Sequence, residues 1–462
     1  MTAPTSDPTC YRLIGPTEDG KFSDLLASLD ASASSLRLQA LIAEWLRMEN
    51  LVVLAGAGAS VSSGGKTMAD LEKQVLSVVK ATTPLSPAVL SIIQARENEV
   101  SAGKPETLGF EGWLSYVASA AQISNSPLSP LSAVVWRGAA TPTADDLSKL
   151  TSSLSKAIFA ECALILPETK MGAASSADVP PHLAFLAKLV ARDSNLGRAH
   201  LFTLNYDTLF EQALELLGIQ YFDGFTGRAD ARFDPSVYGL DIYYPGEVAE
   251  GRVRRFDKFL HLYKLHGSIH WRVDDKELRA HHPNLSEFKK YRTLSHVDKA
   301  EMLVDFAERI PSVGILPTAN KFAQTLTMPF AHIFRSFQIR LSAPQTFLLI
   351  LGCGFGDEHV NHIIETALMN PSLVMLVVEP DAESPTIDRI RKYKDLGKRA
   401  FVLTPTEDAF KTKKWEKATF DDFARAIMPD VQWLDDFLRL RRFEKQIKAN
   451  SDAGDPGTMA VK

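Results

Sequence analysis

Five short apolar segments constrain the fold of this chain more than any other feature of its sequence. They occupy residues 51–55, 199–204, 259–265, 346–351 and 373–378. Each is followed at once by a glycine or a polar side chain, which is typical of strands buried on both faces of a parallel sheet. Helical patterns follow the first, second, fourth and fifth segments. This alternation predicts an α/β fold, a Rossmann-like parallel sheet with helices on both faces.

The spacing of apolar residues also divides the chain. Apolar residues recur at helical spacing in three stretches between the first two strands, at residues 71–80, 110–122 and 181–192. We therefore predict a helical insertion over residues 62–195 within a Rossmann-like domain that spans residues 36–380. Residues 1–35 are rich in Ser, Thr, Pro and Asp, and we expect a flexible N-terminal arm. Residues 381–462 are expected to form a short C-terminal helical region that ends in a polar tail.

Charge and composition exclude several classes of protein. The 51 basic and 56 acidic side chains give a formal net charge of -5, which argues against direct binding of nucleic acid or of a membrane surface. The sequence has no apolar run of about 18 residues and no signal-peptide pattern, so we expect a cytoplasmic protein. Three cysteines, Cys10, Cys162 and Cys353, are too few for a disulfide framework or a four-cysteine zinc site.

Small residues follow the first predicted strand, in the order Gly56, Ala57, Gly58, Ala59 and Ser60. Such residues let the backbone approach a pyrophosphate, whose charge the amides of the next helix would meet. A tight strand-to-helix turn has the same sequence, so this segment alone leaves both interpretations open. Val61 replaces the third glycine of the dinucleotide-binding pattern, and Ser60 stands where a phosphate loop needs glycine. We therefore reject an ATPase.

Polar residues follow the other strands. They are Thr203, Asn205 and Asp207, then His266 and Gly267, then Gly352, Cys353 and Gly354, and finally Glu379. Taken singly, an Asn or Asp at such a position is an ordinary helix N-cap, and a lone His is more often structural than catalytic. Ligands of open α/β sheets, however, bind along the edge where parallel strands end. We therefore predict that these residues line one site.

A cluster of histidines raises the possibility of a metal site. It comprises His261, His266, His270, His281, His282 and His296. No cysteine lies nearby and the HExxH pattern is absent, so exposed loop histidines are the favoured interpretation and no metal is expected.

Together these motifs resemble the sirtuin superfamily, and specifically the sirtuin-like NADase domains of bacterial anti-phage defence proteins, over roughly residues 36–380. Residues 56–60 look like the phosphate-binding start of the family. Residues 203–207 are similar to its Thr-x-Asn-x-Asp element, and His266-Gly267 to its catalytic histidine. Residues 352–359 resemble a late element of the defence branch, and residues 110–114 look like a segment common in that branch's helical insertion.

Two departures from the protein-deacetylating sirtuins matter. Those enzymes carry a four-cysteine zinc ribbon, which this chain cannot form. They also place Gln before the Asn and Ile after it, where this chain has Leu204 and Tyr206. Both differences argue against a groove for acyl-lysine and favour the defence branch.

The resemblance implies an NAD+ glycohydrolase that cleaves the nicotinamide–ribose bond to give nicotinamide and ADP-ribose, acting as an anti-phage abortive-infection effector. Asn205 would hold the attacking water or a ribose hydroxyl, and Asp207 would orient Asn205 or bind the nicotinamide-side loop. His266 would be the general base, because an unperturbed histidine has a pKa near about 6.5.

The resemblance also assigns NAD-binding residues, with NAD as the substrate. Gly56, Ala57, Gly58 and Ser60 would hold the pyrophosphate. Gly352 and Gly354 would leave space for the adenosine half, and Thr203, Gly267 and Cys353 complete the predicted set. Glu379 would accept a hydrogen bond from a ribose hydroxyl or, alternatively, cap the next turn.

Two other functions stay open at this point: a non-catalytic sensor of NAD or ADP-ribose, and an NAD-dependent protein deacylase or ADP-ribosyltransferase. An NADase without restraint would deplete its own cell of cofactor. The family that this chain resembles often achieves such restraint through oligomers or a partner, so the resemblance implies a homo-oligomer and a separately encoded partner, such as a HerA-type ATPase or an Argonaute. The C-terminal helices and Arg252, Arg254 and Arg255 are candidate contacts, the arginines alternatively being a solvated face.

Overall fold

A computed structural model shows the fold. It describes residues 11–17, 21–81, 85–103, 109–126, 141–168, 179–193, 195–227, 229–244, 255–274, 277–282, 285–305, 328–393, 399–411 and 419–431. These residues contain thirteen strands. In chain order they are β1 (Tyr11–Pro16), β2 (Phe22–Asp24), β3 (Asn50–Ala55), β4 (Ala199–Thr203), β5 (Gln220–Phe222), β6 (Phe225–Thr226), β7 (Arg232–Phe233), β8 (Phe259–Lys264), β9 (Trp271–Asp274), β10 (Glu277–Ala280), β11 (Thr346–Leu351), β12 (Leu373–Val378) and β13 (Ala400–Pro405).

Nine of these strands form the central sheet, in the order β2-β1-β13-β12-β11-β3-β4-β8-β5. All neighbours from β13 to β5 are parallel, whereas β1 is antiparallel to both β13 and β2. The remaining strands form a smaller sheet in the order β6-β7-β10-β9. The five strands expected from the sequence are therefore present, and the predicted Rossmann-like α/β class is confirmed.

The central strands are apolar on both sides because both faces of the sheet are covered. In β3, Leu51 and Val53 belong to one hydrophobic core, while Val52 and Leu54 belong to the core on the opposite face. Each of these side chains is fully buried, and burying one such side chain stabilises the fold by about 1.5–3 kcal/mol. The layers on either side therefore hold the strand ends, and the residues that follow them, in fixed positions.

Fourteen α-helices surround the sheets in the described residues. They are α1 (Ala31–Leu46), α2 (Met68–Ala81), α3 (Pro87–Ala102), α4 (Phe110–Asn125), α5 (Ala144–Cys162), α6 (Pro181–Val190), α7 (Leu209–Leu216), α8 (Leu285–Tyr291), α9 (His296–Asp305), α10 (Phe330–Ser342), α11 (Glu358–Ala367), α12 (Pro385–Lys392), α13 (Glu407–Lys411) and α14 (Thr419–Asp422). Two 3-10 helices, Ala57–Ser63 and Pro235–Gly239, and a π-helical turn, Phe423–Ile427, complete the set.

Twelve of the helices fall into three groups. Helices α1, α6 and α7 contribute to the core on one face of the central sheet, and α10, α11 and α12 to the core on the other. Helices α2 to α5 pack with α8 and α9 around a third core. Helix α6, which we expected within the insertion, instead packs on the sheet through Phe185 and Leu186. Helices α2 to α5 of the predicted insertion therefore share one core with α8 and α9, which lie outside its predicted bounds.

The N-terminal segment differs from the expected flexible arm. Residues of β1 pair with β13, with Leu13 opposite Leu403, and the Leu13 side chain is fully buried in the sheet core. The C-terminal region, which we expected to be helical, contains helices α12, α13 and α14 and also the strand β13, which pairs parallel with β12. Residues 432–462, which include the expected polar tail, lie outside the described residues.

Among the helices that the structure describes, none combines the length and the apolar character needed to cross a membrane.

Candidate active site

A cavity of about 650 Å³ opens where the parallel strands end. It lies at the end of β3. In the sheet β3 has β4, the next strand of the central sheet along the chain, on one side and β11, a much later strand, on the other. Open α/β sheets bind ligands at such switch points, and a volume of about 300–1,000 Å³ is usual for small-molecule sites.

Most of the predicted site residues share this cavity. Its wall includes Gly56, Ala57, Ser60, Asn205, Asp207, His266, Gly352, Cys353 and Gly354. Four predicted residues, Gly58, Thr203, Gly267 and Glu379, lie outside the lining. Residues from four separate strand ends, those of β3, β4, β8 and β11, therefore face one space, as expected from parallel strands whose carboxyl ends share an edge.

Gly58 acts through packing. Its amide donates to Gly352 O at 2.9 Å, and a Cβ atom at Gly58 would lie 2.6 Å from Gly352 Cα. Gly352 has a φ of +61°, in the left-handed region that favours glycine. The two glycines therefore let the loops after β3 and β11 touch, which forms the floor of the cavity.

The Asn205 side chain is fixed by two hydrogen bonds. Its Nδ2 donates to Gly56 O at 2.9 Å and to Ser60 Oγ at 2.8 Å. A main-chain carbonyl can only accept, so the amide nitrogen must face Gly56, and both of its N–H groups are used. The carbonyl Oδ1 is consequently the atom of Asn205 that is left to accept a hydrogen bond from a ligand.

Asp207 reaches Asn205 through Ser60. The Ser60 hydroxyl donates to Asp207 Oδ2 at 2.7 Å while it accepts from Asn205. The other carboxylate oxygen, Oδ1, accepts from the Leu209 amide at 3.1 Å near the start of α7. Asp207 therefore orients the serine that orients the asparagine, and it fixes the chain at the beginning of the helix.

Thr203 and Gly267 shape the two turns and do not line the cavity. Thr203 is fully buried, and its Oγ1 accepts a hydrogen bond from the main-chain N–H of Asn205 at 3.1 Å. Gly267 has a φ of +88°, which permits the chain to turn directly after His266. These residues set the positions of Asn205 and His266.

His266 is paired with a carboxylate to which the sequence analysis gave no role. Its Nε2 lies 2.8 Å from Asp357 Oδ2, and both side chains are about nine-tenths buried. Asp357 also caps α11, because its Oδ1 accepts from the amides of His359 and Val360. Since an ionised carboxylate only accepts, the neutral imidazole carries its proton on Nε2, and Nδ1 is the basic nitrogen.

Comparison with known families bears on this arrangement. A family model described as SIR2-like domain matches residues 199–401. Over these residues the chain is similar to a SIR2-like domain. The match spans Asn205, His266 and Asp357, and it supports a relationship to the sirtuin-like superfamily. No curated protein matches the chain significantly. Because SIR2-like family members are NAD-dependent enzymes, the match implies NAD binding and an NAD-related function.

The helical insertion supplies the wall opposite the SIR2-like domain. Phe110, Glu111 and Gly112, at the start of α4, line the cavity with Glu161 and Lys66. This places the segment 110–114, singled out in the sequence, at the cavity. The insertion and the strand ends therefore enclose one site together.

Glu161 is a buried carboxylate in that wall. It accepts from Lys299 Nζ at 2.9 Å and from Tyr291 at 3.1 Å, and Lys66 lies 3.4 Å away. Burial opposes its ionisation, but the hydrogen bond and charge of Lys299, together with Lys66, outweigh burial and lower the pKa of Glu161. Glu161 is therefore ionised at neutral pH, and Lys66 and Lys299 compensate its charge on the insertion side of the cavity.

The two cysteines of the cavity are neutral. Burial raises the pKa of Cys162 to about 12 and that of Cys353 to about 11. A thiol with so high a pKa is a poor nucleophile at neutral pH. Cys353, predicted to contact NAD, therefore offers an uncharged wall.

Glu379 takes the second of the two roles considered for it. Its Oε1 accepts from the Asp381 amide at 3.1 Å, in the turn that follows β12. Burial raises the pKa of its carboxyl. The structure therefore favours the capping interpretation over contact with a ribose.

The other histidines do not converge on the site. His261 is buried in β8, where its ring lies 4.9 Å from that of His200, so it is not the exposed loop histidine we expected. His270 contacts His282, and His296 contacts Gln74. Among the residues that the structure describes, no three His, Cys, Asp or Glu side chains are grouped as metal ligands.

Sequence reasoning missed two residues beside the catalytic candidates. Asp357 belongs to the late motif at residues 352–359. Its position after β11, in the loop that contains Gly352 and Gly354, indicates that it could lie at the same edge of the sheet as His266. Lys264, the last residue of β8, is 3% exposed. A lysine at the end of an otherwise apolar buried strand was the signal for it, because a buried ammonium needs partners.

Proposed function

We propose that this protein hydrolyses NAD+ to nicotinamide and ADP-ribose. The observation that carries the proposal is the shared cavity of Asn205, whose amide is fixed by Gly56 and Ser60, and His266, which is paired with Asp357. The implied NAD binding of a SIR2-like domain supports the substrate.

The reaction breaks the bond between the nicotinamide nitrogen and the C1 carbon of the ribose. The bonding electron pair leaves with nicotinamide, and C1 gains oxocarbenium character. Asn205 Oδ1 accepts a hydrogen bond from the attacking water, whose oxygen forms the new bond to C1. His266 Nδ1 takes the proton released by that water, and the Asp357 carboxylate stabilises the imidazolium that results.

The cavity has distinct surfaces for the parts of the dinucleotide. Gly56, Ala57 and Ser60 would lie beside the pyrophosphate, where small residues allow close approach. Gly352 and Gly354 would lie beside the adenosine half. Apolar side chains of the insertion, including Phe110, Met68 and Leu71, line the same cavity and would exclude water from the reacting bond.

Nicotinamide release by the purified protein, alone or with its partner, tests the proposal. We expect Asn205→Ala and His266→Ala each to lower turnover by about 100-fold or more, because each removes a positioned polar group or a general base. Unaltered turnover in both variants would contradict the proposal. Tight binding of ADP-ribose with no product under any activating condition would select the alternative of a non-catalytic sensor.

We also propose the biological setting implied by this chemistry. Because continuous hydrolysis would exhaust cellular NAD, the enzyme would act in the cytoplasm as an abortive-infection effector, restrained as a homo-oligomer or by a separately encoded HerA-type ATPase or Argonaute. A single monomeric mass at micromolar concentration would refute the oligomer.

Within the proposed contact segment, Arg255 is held by Asp241 at 3.3 Å and by Leu196 O at 3.1 Å. Its guanidinium therefore has contacts within its own chain. Arg252, Arg254 and residues 432–462 of the C-terminal region lie outside the described residues.

A further inference from the structure

A buried ammonium lies directly beneath the candidate catalytic turn. Lys264 ends β8, two positions before His266, and its side chain is 3% exposed. It does not line the cavity. It is therefore too deep to contact a ligand, and its partners must explain its presence in the core.

All three N–H groups of Lys264 have partners. Nζ donates to Asn205 O at 3.3 Å and to Asp207 O, and it pairs with Glu211 Oε1 at 2.9 Å. Glu211 belongs to α7 and is itself 6% exposed. An ammonium has three N–H donors. Two of them donate to main-chain carbonyls of the turn that carries Asn205 and Asp207, and the third donates to the Glu211 carboxylate, which also balances the charge of Lys264.

These contacts connect the two catalytic candidates. The turn that Lys264 bonds carries Asn205 and Asp207, whereas its own strand carries His266 immediately beyond. Two main-chain hydrogen bonds run between the same segments, from the Leu265 amide to Thr203 O at 2.9 Å and from the Ile269 amide to Tyr206 O at 3.0 Å. Lys264 is the side-chain member of this set.

We infer that Lys264 is a positioning residue, which clamps the main chain of the Asn205–Asp207 turn to the strand end that presents His266. Glu211 balances the charge of Lys264 and does not itself hold the turn. The inference rests on the proposed hydrolysis of NAD, since it assigns Lys264 a role in aligning the two groups of that reaction. A misplacement of about 1 Å can lower a rate by about 100-fold, so a rigid clamp here matters for turnover.

The test separates the clamp from simple support of the fold. Removing Lys264 alone would leave Glu211 buried without a partner, which destabilises a protein strongly. The informative variant is therefore Lys264→Met combined with Glu211→Gln, which removes both charges at similar volume. The matched control is Glu211→Gln alone, which keeps the bonds of Lys264 to Asn205 O and Asp207 O and leaves a glutamine carbonyl oxygen that can still accept from Lys264 Nζ.

We expect the double variant to lose kcat by about 10–100-fold, while KM for NAD+ and the Kd for ADP-ribose stay within about threefold of the wild-type values, as befits a loss confined to the transition state. Glu211→Gln should keep most of the wild-type kcat. The inference is overturned if the double variant keeps the wild-type kcat, or if Glu211→Gln loses as much as the double variant.

Should the double variant fail to fold, Lys264→Arg replaces it. Arginine keeps the charge and the donors on a wider planar head, so we expect a lower kcat with ADP-ribose binding retained. A wild-type kcat in Lys264→Arg, or equal losses of kcat and of ADP-ribose affinity, would overturn the inference.

Amide hydrogen exchange measures how firmly Lys264 holds the two segments together, and it does not require turnover. If the wild-type protein releases no nicotinamide, the proposed function fails, but the amides of Asn205, Leu265 and Ile269 still report on the clamp. Faster exchange at these amides in the double variant, but not in Glu211→Gln, supports the inference. Equal exchange in all three proteins overturns it.

Discussion

His266 Nε2 and Asp357 Oδ2 lie 2.8 Å apart, although 91 residues separate them in the chain. His266 follows β8 and Asp357 follows β11, and β3 and β4 lie between these two strands in the sheet. The pair therefore spans the end of the sheet above the strand that carries Gly56. This contact makes one site out of two distant motifs.

The first prediction concerns Asp357. Replacing it in Asp357→Asn should lower turnover of NAD+ by about 10–100-fold, because an amide cannot stabilise an imidazolium and favours the wrong tautomer of His266. Asn keeps an oxygen that can accept from the His359 and Val360 amides, so α11 should stay capped. Steady-state kinetics and thermal unfolding check both parts.

An exposed acid provides the control for that experiment. Asp388→Asn, on α12, changes charge by the same amount at a side chain that is 72% exposed and does not line the cavity, and it should leave turnover unchanged. If Asp357→Asn retains the wild-type kcat, the role assigned to the His266–Asp357 pair is wrong.

A second prediction concerns Ser60, the link between Asn205 and Asp207. Ser60→Ala leaves one N–H of Asn205 and one oxygen of Asp207 without their buried partner, which costs about 1–3 kcal/mol. We expect a lower Tm and a turnover reduced by about tenfold, since Asn205 then loses one of its two fixed bonds.

Ser63→Ala is the matched control on the same 3-10 helix. Among the described residues, Ser63 Oγ is buried without a hydrogen-bond partner, so its removal should leave both Tm and turnover near the wild-type values. Equal effects of the two substitutions would show that the hydrogen-bonded chain through Ser60 has no special role.

Much of this site could be predicted from the sequence, for a simple geometric reason. Parallel strands end at one edge, so residues that follow different strands, such as Ser60, Asn205 and His266, are expected to meet. The order of the strands cannot be read from their apolar segments, however. The pairing of His266 with Asp357, and of Lys264 with Glu211, depends on that order and on helix packing.

The limits of the prediction at the sheet margins have another cause. The segment β1 has only a few apolar residues among polar and small ones, and its Leu13 becomes buried only because β13 lies beside it. Composition alone therefore predicts a flexible arm. The segment instead forms a strand because it pairs with β13, and such tertiary pairing is not encoded in composition.

A third prediction compares two glycines of the loop after β11. In Gly352→Ala the left-handed backbone alone costs about 1–2 kcal/mol, and the new methyl group would also collide with Gly58 Cα and Ala59 N. We expect a Tm lowered by several degrees and weaker binding of ADP-ribose, because the loops after β3 and β11 must separate.

Gly354→Ala should have little effect on stability, since a Cβ there meets nothing within 4 Å. Thermal unfolding of the two variants, measured side by side, makes the comparison. Equal melting temperatures would show that the close approach of the two loops does not limit stability.

A fourth prediction concerns stability in acid. His182 is fully buried between Phe210 and Phe420, and neither ring nitrogen has a hydrogen-bond partner among the described residues. Burial lowers its pKa to about 3. The unfolded chain, with a pKa near about 6.5, binds the proton more readily, so stability falls as the pH drops below that value and continues to fall towards about 3.

The slope from this one histidine is at most about 1.4 kcal/mol per pH unit. His182→Leu should flatten the dependence of the unfolding free energy between roughly pH 6.5 and pH 4, whereas His362→Gln, at an exposed position, should not. Urea unfolding at a series of pH values measures both slopes, and an unchanged slope in His182→Leu would contradict the assignment.

The most direct test of the proposed hydrolysis of NAD+ is product analysis in heavy-oxygen water, with wild-type protein and with Asn205→Ala. We expect equal amounts of nicotinamide and ADP-ribose from the wild-type protein, one heavy oxygen atom in each ADP-ribose, and almost no product from Asn205→Ala. Wild-type levels of nicotinamide from Asn205→Ala, or ADP-ribose binding by a wild-type protein that releases none, would contradict it.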